Sequence, residues 1–148
     1  MTLVGSNLLA SEAVLLVRIG LGRYALPLAS VERVLQMAYV PPLPEASDGL
    51  LGMLNLHGQV LPVVDPHPRL GLASPTVAVE HRLVQLKADA PFLLWVDDVE
   101  DVVALSTAEV GAVPATDANP LVGRAVRVGD DVLHCLAPTA LEPHAWLR

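Results

Sequence analysis

The stretch "GMLNLHGQVLPVVD", residues 52–65, decides how this chain reads. Two aliphatic runs, 50–56 and 59–64, flank His57-Gly58, and each has the length of a strand. The glycine in that two-residue joint supplies the positive φ of a tight hairpin turn. Both runs are apolar on both faces near their centres, which predicts a hairpin covered on two sides. His57, Asp65 and His67 also raise a chemical question, because imidazole and carboxylate are metal ligands. A metal site requires the three to converge. Otherwise His57 is exposed in a turn, Asp65 caps the next turn through its side chain, and His67 lies in a Pro-bounded loop.

Working outward, 14–19 and 23–28 are short β-like runs around "GLG". Pro27 cannot donate to a ladder and predicts an edge strand or an outward-facing position. "ASVERVLQM", 29–37, reads as a helical turn running into a strand, with Ser30 as N-cap and Val31, Val34 and Leu35 at helical spacing. "PPLPEASDG" is an irregular connector, and "DPHPRLGL" ends the central hairpin. After a surface loop at 74–80 come strands at 82–87, 92–96 and 101–105, then a long polar loop at 106–120. A hairpin around Gly129-Asp130-Asp131 follows, and a C-terminal helix begins near Pro138 and is limited by Pro143.

Nine or ten short strands with at most two short helices predict an all-β fold of antiparallel barrels. The rhythm of 52–65 recurs in "GRAVRVGDDVLHCLA", 123–137, which supports two similar small barrels.

Composition removes several function classes. Hydrophobic residues form 53% of the chain and charged residues 17%, enough apolar surface to offset chain entropy and leave a sticky face for a partner. A net charge of −7 repels phosphate backbones and anionic lipid, so no nucleic acid and no direct membrane insertion are expected. The N-terminus lacks a basic region, and no apolar run approaches the roughly 18 residues of a membrane span, so the expected location is cytoplasmic.

The single cysteine, Cys135, sits in a strand-like setting and reads as a core thiol, with His134 on the opposite face. There is no G-x-S-x-G elbow and no phosphate-cradling glycine loop. The carboxylates Asp97, Asp98, Glu100 and Asp101 lack EF-hand spacing and read as a solvated strand end or an interaction patch. Trp95 and Trp146 read as packing residues. No catalytic residue, cofactor or metal is therefore expected.

Five elements in order, "RIGLGRYALPLASVERVL", the Pro-rich connector, "GMLNLHGQVLPVVD…RLGL", "FLLWVDDVEDVVAL" and "GRAVRVGDDVLHCL", resemble the CheW-like domain of bacterial chemotaxis coupling proteins, over about 15–141. Gly52, Asn55, Gly58, Pro62 and Asp65 fall on the family's G-x-x-N-x-R-G-x-x-x-P-x-x-D pattern, and "VDDVEDV" on its V-D-x-V-x-x-V.

The resemblance implies one domain over 1–148, built as two five-stranded SH3-like β-barrels sharing a hydrophobic seam, with one or two short helices. The first barrel takes about 14–28 plus C-terminal return strands, and the second about 31–105. It implies a non-catalytic adaptor that binds the regulatory domain of a CheA-type histidine kinase and the cytoplasmic tip of a methyl-accepting chemoreceptor, at membrane receptor arrays. Partner contacts then fall on Val31, Glu32, Arg33, Val34, Asn55, His57 and Gly58, while Gly52, Pro62 and Asp65 are structural.

Three positions depart from the family pattern. His57 stands where arginine is usual and loses a permanent charge and a bidentate donor fork. Arg33 follows Glu32 where the family has V-x-E-V, and Pro66-His67 replaces Leu-Arg. The departures leave two alternatives to the adaptor: a stand-alone CheW-like regulatory domain binding another signalling protein, as in pilus motility, or a metal-dependent β-barrel enzyme.

Overall fold

The computed structural model describes residues 11–41, 49–106, 111–113, 121–128 and 131–143. The Pro-rich connector from 42, the Gly129-Asp130 turn, most of the loop at 106–120 and Trp146 lie outside them. Eleven strands form two sheets among the described residues. Sheet one has the order β8-β1-β2-β11-β10-β9, built from β8 (Asp98–Ser106), β1 (Ser11–Ile19), β2 (Gly22–Pro27), β11 (Asp131–Leu136), β10 (Val122–Val128) and β9 (Gly111–Val113). Sheet two has the order β3-β6-β7-β5-β4, from β3 (Val31–Gln36), β6 (Arg82–Leu86), β7 (Phe92–Val96), β5 (Gln59–Val64) and β4 (Leu50–Leu56). A one-turn helix, α1 (Pro138–Leu141), follows β11 with proline in its first turn, where a missing N–H costs nothing. The all-β expectation is met.

The repeat seen in the sequence is a repeat of topology. Hairpin β4–β5 joins β7 through a parallel pairing of β5, and hairpin β10–β11 joins β2 through a parallel pairing of β11. Each carries a one-residue register shift at the same place, between Leu50 and Gly52 in β4 and between Val122 and Arg124 in β10. The outer strands are exchanged. After hairpin β1–β2 the chain crosses to pair β3 with β6, and after β6–β7 it returns to pair β8 with β1.

That exchange moves one boundary. Residues 101–105 were expected in the second barrel, whereas β8 pairs with β1 from Arg18↔Asp98 to Ser11↔Ser106 and lies in sheet one. The second sheet therefore spans 31–96. The crossover is held where the Asp97 N–H donates to the Arg18 carbonyl at 2.9 Å.

Alternation along two strands makes three cores from two sheets. On β1, Val14 and Leu16 enter the core of the first sheet, while Leu15, Val17 and Ile19 enter a shared central core. On β7, Leu93 and Trp95 enter the core of the second sheet, while Phe92, Leu94 and Val96 face the shared one. Leu121, Leu136 and Leu141 extend the shared core from the C-terminal side. Burying one such leucine stabilises by about 1.5–3 kcal/mol, so a strand with two apolar faces fastens two cores at once.

Two local readings change. The turn at Leu28–Ser30 is 3₁₀, and the strand starts at Val31, so Val31, Val34 and Leu35 are not on a helix. Ser30 caps nothing with its side chain; its carbonyl accepts the Lys87 N–H at 2.9 Å, which ties the turn to the end of β6. β2 is an interior strand, and Pro27 is tolerated because the β11 pairing covers only Tyr24 and Ala25.

Candidate functional site

The central hairpin has a solvent-facing tip and a buried base. At the tip Leu56 pairs with Gln59 around His57 (φ 53°) and Gly58 (φ 87°). Two positive φ values make a type I′ turn, whose twist matches the strands, and histidine is one of the side chains that tolerate its first position. The Gly58 N–H donates to Asn55 Oδ1 at 2.8 Å, so Asn55 closes the turn with its side chain. Asn55, His57 and Gly58 are brought together there and are all exposed.

The tip is not covered on both sides as expected. β4 is an outer strand, and Val60 remains 55% exposed beside it, whereas Leu61, Val63 and Val64 are buried. An apolar groove of about 490 Å³ runs along this flank between Val60, Leu61 and Pro62 on one side and Ala90, Pro91 and Pro143 on the other.

The structural positions explain themselves. A Cβ on Gly52 would collide with the carbonyl of Pro41. Pro62 pairs with Met53, one residue before the β5–β7 ladder begins at Val63, so no ladder bond is lost to its missing N–H.

Asp65 does more than cap. Its Oδ1 accepts the His67 N–H at 3.0 Å, as an Asx-turn does, and also His67 Nδ1–H at 2.6 Å, while its Oδ2 accepts the Ser74 hydroxyl. His67 Nε2–H donates to Asp97 Oδ1 at 2.8 Å, and the same oxygen accepts the Gly20 N–H at 3.0 Å. His67 is fully buried rather than held in an open loop, with its ring 5.1 Å from that of Trp95 in an edge contact. The indole N–H of Trp95 donates to His81 Nδ1 at 3.0 Å.

Burial disfavours the charged forms of both Asp65 and His67, and their mutual bonds outweigh it. His67 is held above the usual imidazole range by its bonds to Asp65 and Asp97 and by their charges. Asp65 is held below the usual carboxylate range by its bonds from His67 and Ser74.

His57 and Asp65 stand at opposite ends of β5 and share no chemistry. Among the described residues no group of His, Cys, Asp and Glu is placed to hold a metal ion. The acidic run is also dispersed: Asp97 serves the His67 network, Asp98 faces Arg18 at 3.7 Å, Glu100 accepts Arg23 Nε–H at 2.8 Å, and Asp101 accepts the Val102 N–H. Cys135 is buried and His134 points to the other face, as alternation predicts.

The remaining expected partner residues lie on β3, at the opposite margin of sheet two from β4. A register shift between Val31 and Arg33 leaves Glu32 as the extra residue and breaks the alternation. Glu32 and Arg33 are therefore exposed side by side, Val34 is exposed after them on the opposite face, and Val31 is half-buried against the shared core. Val34 is 41% exposed on this edge, and Tyr39 beyond it 78%.

The CheW-like domain family matches residues 13–142, nearly the whole chain. The chain belongs to that family. A relative, "Chemotaxis protein CheW" of Rhizobium meliloti (strain 1021), is 30% identical over 123 residues, covering 80% of this chain and 79% of the relative. The crystal structure of the scaffolding protein TtCheW from Thermoanaerobacter tengcongensis superposes with a TM-score of 0.78 at 20% identity, over 88% of this chain and 86% of that one, and shows the same fold. CheW-like proteins are non-catalytic scaffolds or adaptors of chemotaxis, and this chain is one. The CheW-like match includes both hairpins and both exchanged strands, so the repeat described above lies wholly within it. No helix among the described residues is long and apolar enough to cross a membrane.

Proposed function

We propose that this CheW-like chain couples a chemoreceptor to a CheA-type histidine kinase through protein contacts alone, on the cytoplasmic side of the membrane. The observation that supports it is the bulged outer strand β3. Glu32, Arg33 and Val34 are exposed in succession on a strand with one free edge, in a chain of the CheW-like family. A mixed apolar and charged strip on a sheet strand is suited to binding, since its backbone is ordered before the partner arrives. The Asn55-His57-Gly58 tip offers a second contact on the far margin of the same sheet.

Titration calorimetry of the whole chain against the cytoplasmic receptor tip and the kinase regulatory domain of its own cell tests this. Binding to one or both, lost in Val34→Glu with the circular dichroism spectrum unchanged, is the expected result. Binding to neither overturns the coupling role. His57, in place of the usual arginine, favours a second reading in which the chain serves another signalling protein, as in pilus motility; capture of such a partner through the hairpin tip would support it.

A further inference from the structure

The most enclosed polar cluster in the described residues is the Asp65–His67–Asp97 row, and scaffolding makes no use of it. Both ring nitrogens of His67 face carboxylate oxygens, at 2.6 and 2.8 Å. An ionised carboxylate only accepts, so both contacts are hydrogen bonds only when both nitrogens donate, that is, when the ring is an imidazolium. The three members and their direct partner come from different parts of the fold. Asp65 ends β5 of sheet two, Asp97 is the crossover residue between β7 and β8, and Gly20, bonded to Asp97, is the turn of β1–β2 in sheet one.

We propose that His67 is a proton-dependent latch between the two sheets, closed as the imidazolium and loosened at the β1–β2 turn when the ring loses its proton. A neutral ring has one N–H. It can serve Asp65 or Asp97 and must set a lone pair against the other carboxylate. The Asp65 bond is the shorter, 2.6 against 2.8 Å, and the Asp65 carboxylate is the more buried, so the remaining proton stays on Nδ1 and the lone pair meets Asp97, which keeps only the Gly20 N–H among the described residues. The strain therefore falls on the Asp97–Gly20 end.

The groups that face the ring are few. Asp65 and Asp97 are the charges in contact, Trp95 packs its indole on the ring from β7, and His81 stands behind Trp95 as its acceptor. Arg18 on β1 lends its carbonyl to the Asp97 N–H and pairs its guanidinium with Asp98 on β8. Arg69 is on the same short turn as His67. The raised titration of His67 agrees with this geometry.

Nitrogen-resolved NMR of the histidine rings in the whole chain, titrated from pH 5 to pH 10, tests the latch, with His67→Gln to assign the signal. The expected result has three parts. The ring is doubly protonated at pH 7; the Gly20 amide shifts and loses exchange protection with the same midpoint as the ring; and Leu94, in the ladders of β6 and β5, loses less protection than Gly20 does. Asp97→Asn should bring the ring midpoint down. A ring singly protonated at pH 7 overturns the latch, as does a Gly20 amide that does not follow it. Equal loss at Gly20 and Leu94 also overturns it, since the opening is then that of the whole fold and not of the turn. The wild-type titration decides even if either variant fails to fold.

Discussion

Gly52 lies directly beneath the carbonyl of Pro41: a Cβ at position 52 would stand 2.1 Å from that oxygen and 2.9 Å from Val40 Cγ1. The Met53 N–H donates to the same oxygen at 3.2 Å, and Val40 is buried in the core of the second sheet. The chain before the Pro-rich connector is thus clamped onto β4 by a contact that only a missing side chain allows. Gly52→Ala should cost about 3 kcal/mol or more, the upper range for overpacking, because the opposing atom is backbone. A urea midpoint shifted by less than a surface substitution shifts it would refute the clamp.

At the hairpin tip the backbone and the side chain make separable demands. His57→Gly should leave stability within about 0.5 kcal/mol, since glycine accepts the positive φ freely. His57→Val should cost about 1–2 kcal/mol, because a β-branched residue is strained there. If His57 contacts a partner, both variants weaken partner binding while only the second lowers the melting temperature.

Stability should fall at both ends of the pH range. His67 titrates higher in the folded chain than unfolded, so its contribution is complete below its ordinary value of 6.5 and fades as pH rises through the raised one. Asp65 titrates lower when folded, so its contribution is complete above its ordinary value of 3.8 and fades as pH falls through the lowered one. Urea midpoints between pH 2.5 and pH 9 should show a plateau between those limits. In Asp97→Asn the alkaline decline should begin earlier, and an unchanged curve would count against the pairing.

Neighbours on β7 should have different reach. Leu93→Ala and Leu94→Ala each remove a fully buried leucine, at a cost of about 2–5 kcal/mol. Leu93 belongs to the second sheet's own core and Leu94 to the shared one. Hydrogen exchange should therefore show Leu94→Ala loosening β1 as well as β6, and Leu93→Ala loosening β5 and β6 without β1.

Much of this was legible in the residues. The spans 50–56 and 59–64 are β4 and β5 to the residue, because alternation, length and a two-residue glycine turn are local signals. The shared rhythm of the two hairpins marked two units, since equivalent strands need equivalent turns. The exposed strip on β3 was named for its residues, but its bulge was not foreseen, because register depends on the facing strand β6.

The chain's own pattern determined that it is all-β, that Asn55-His57-Gly58 makes a turn, and that Cys135 and His134 face opposite ways. Only the tertiary structure decided that 98–106 returns to β1, for an amphipathic strand satisfies any sheet edge of matching face and carries no address. It alone decided the surroundings of His67. The second carboxylate that faces its ring is 30 residues away at Asp97, and the amide which that carboxylate holds in turn is 77 residues from it at Gly20, contacts that exist only once two sheets have closed on one another.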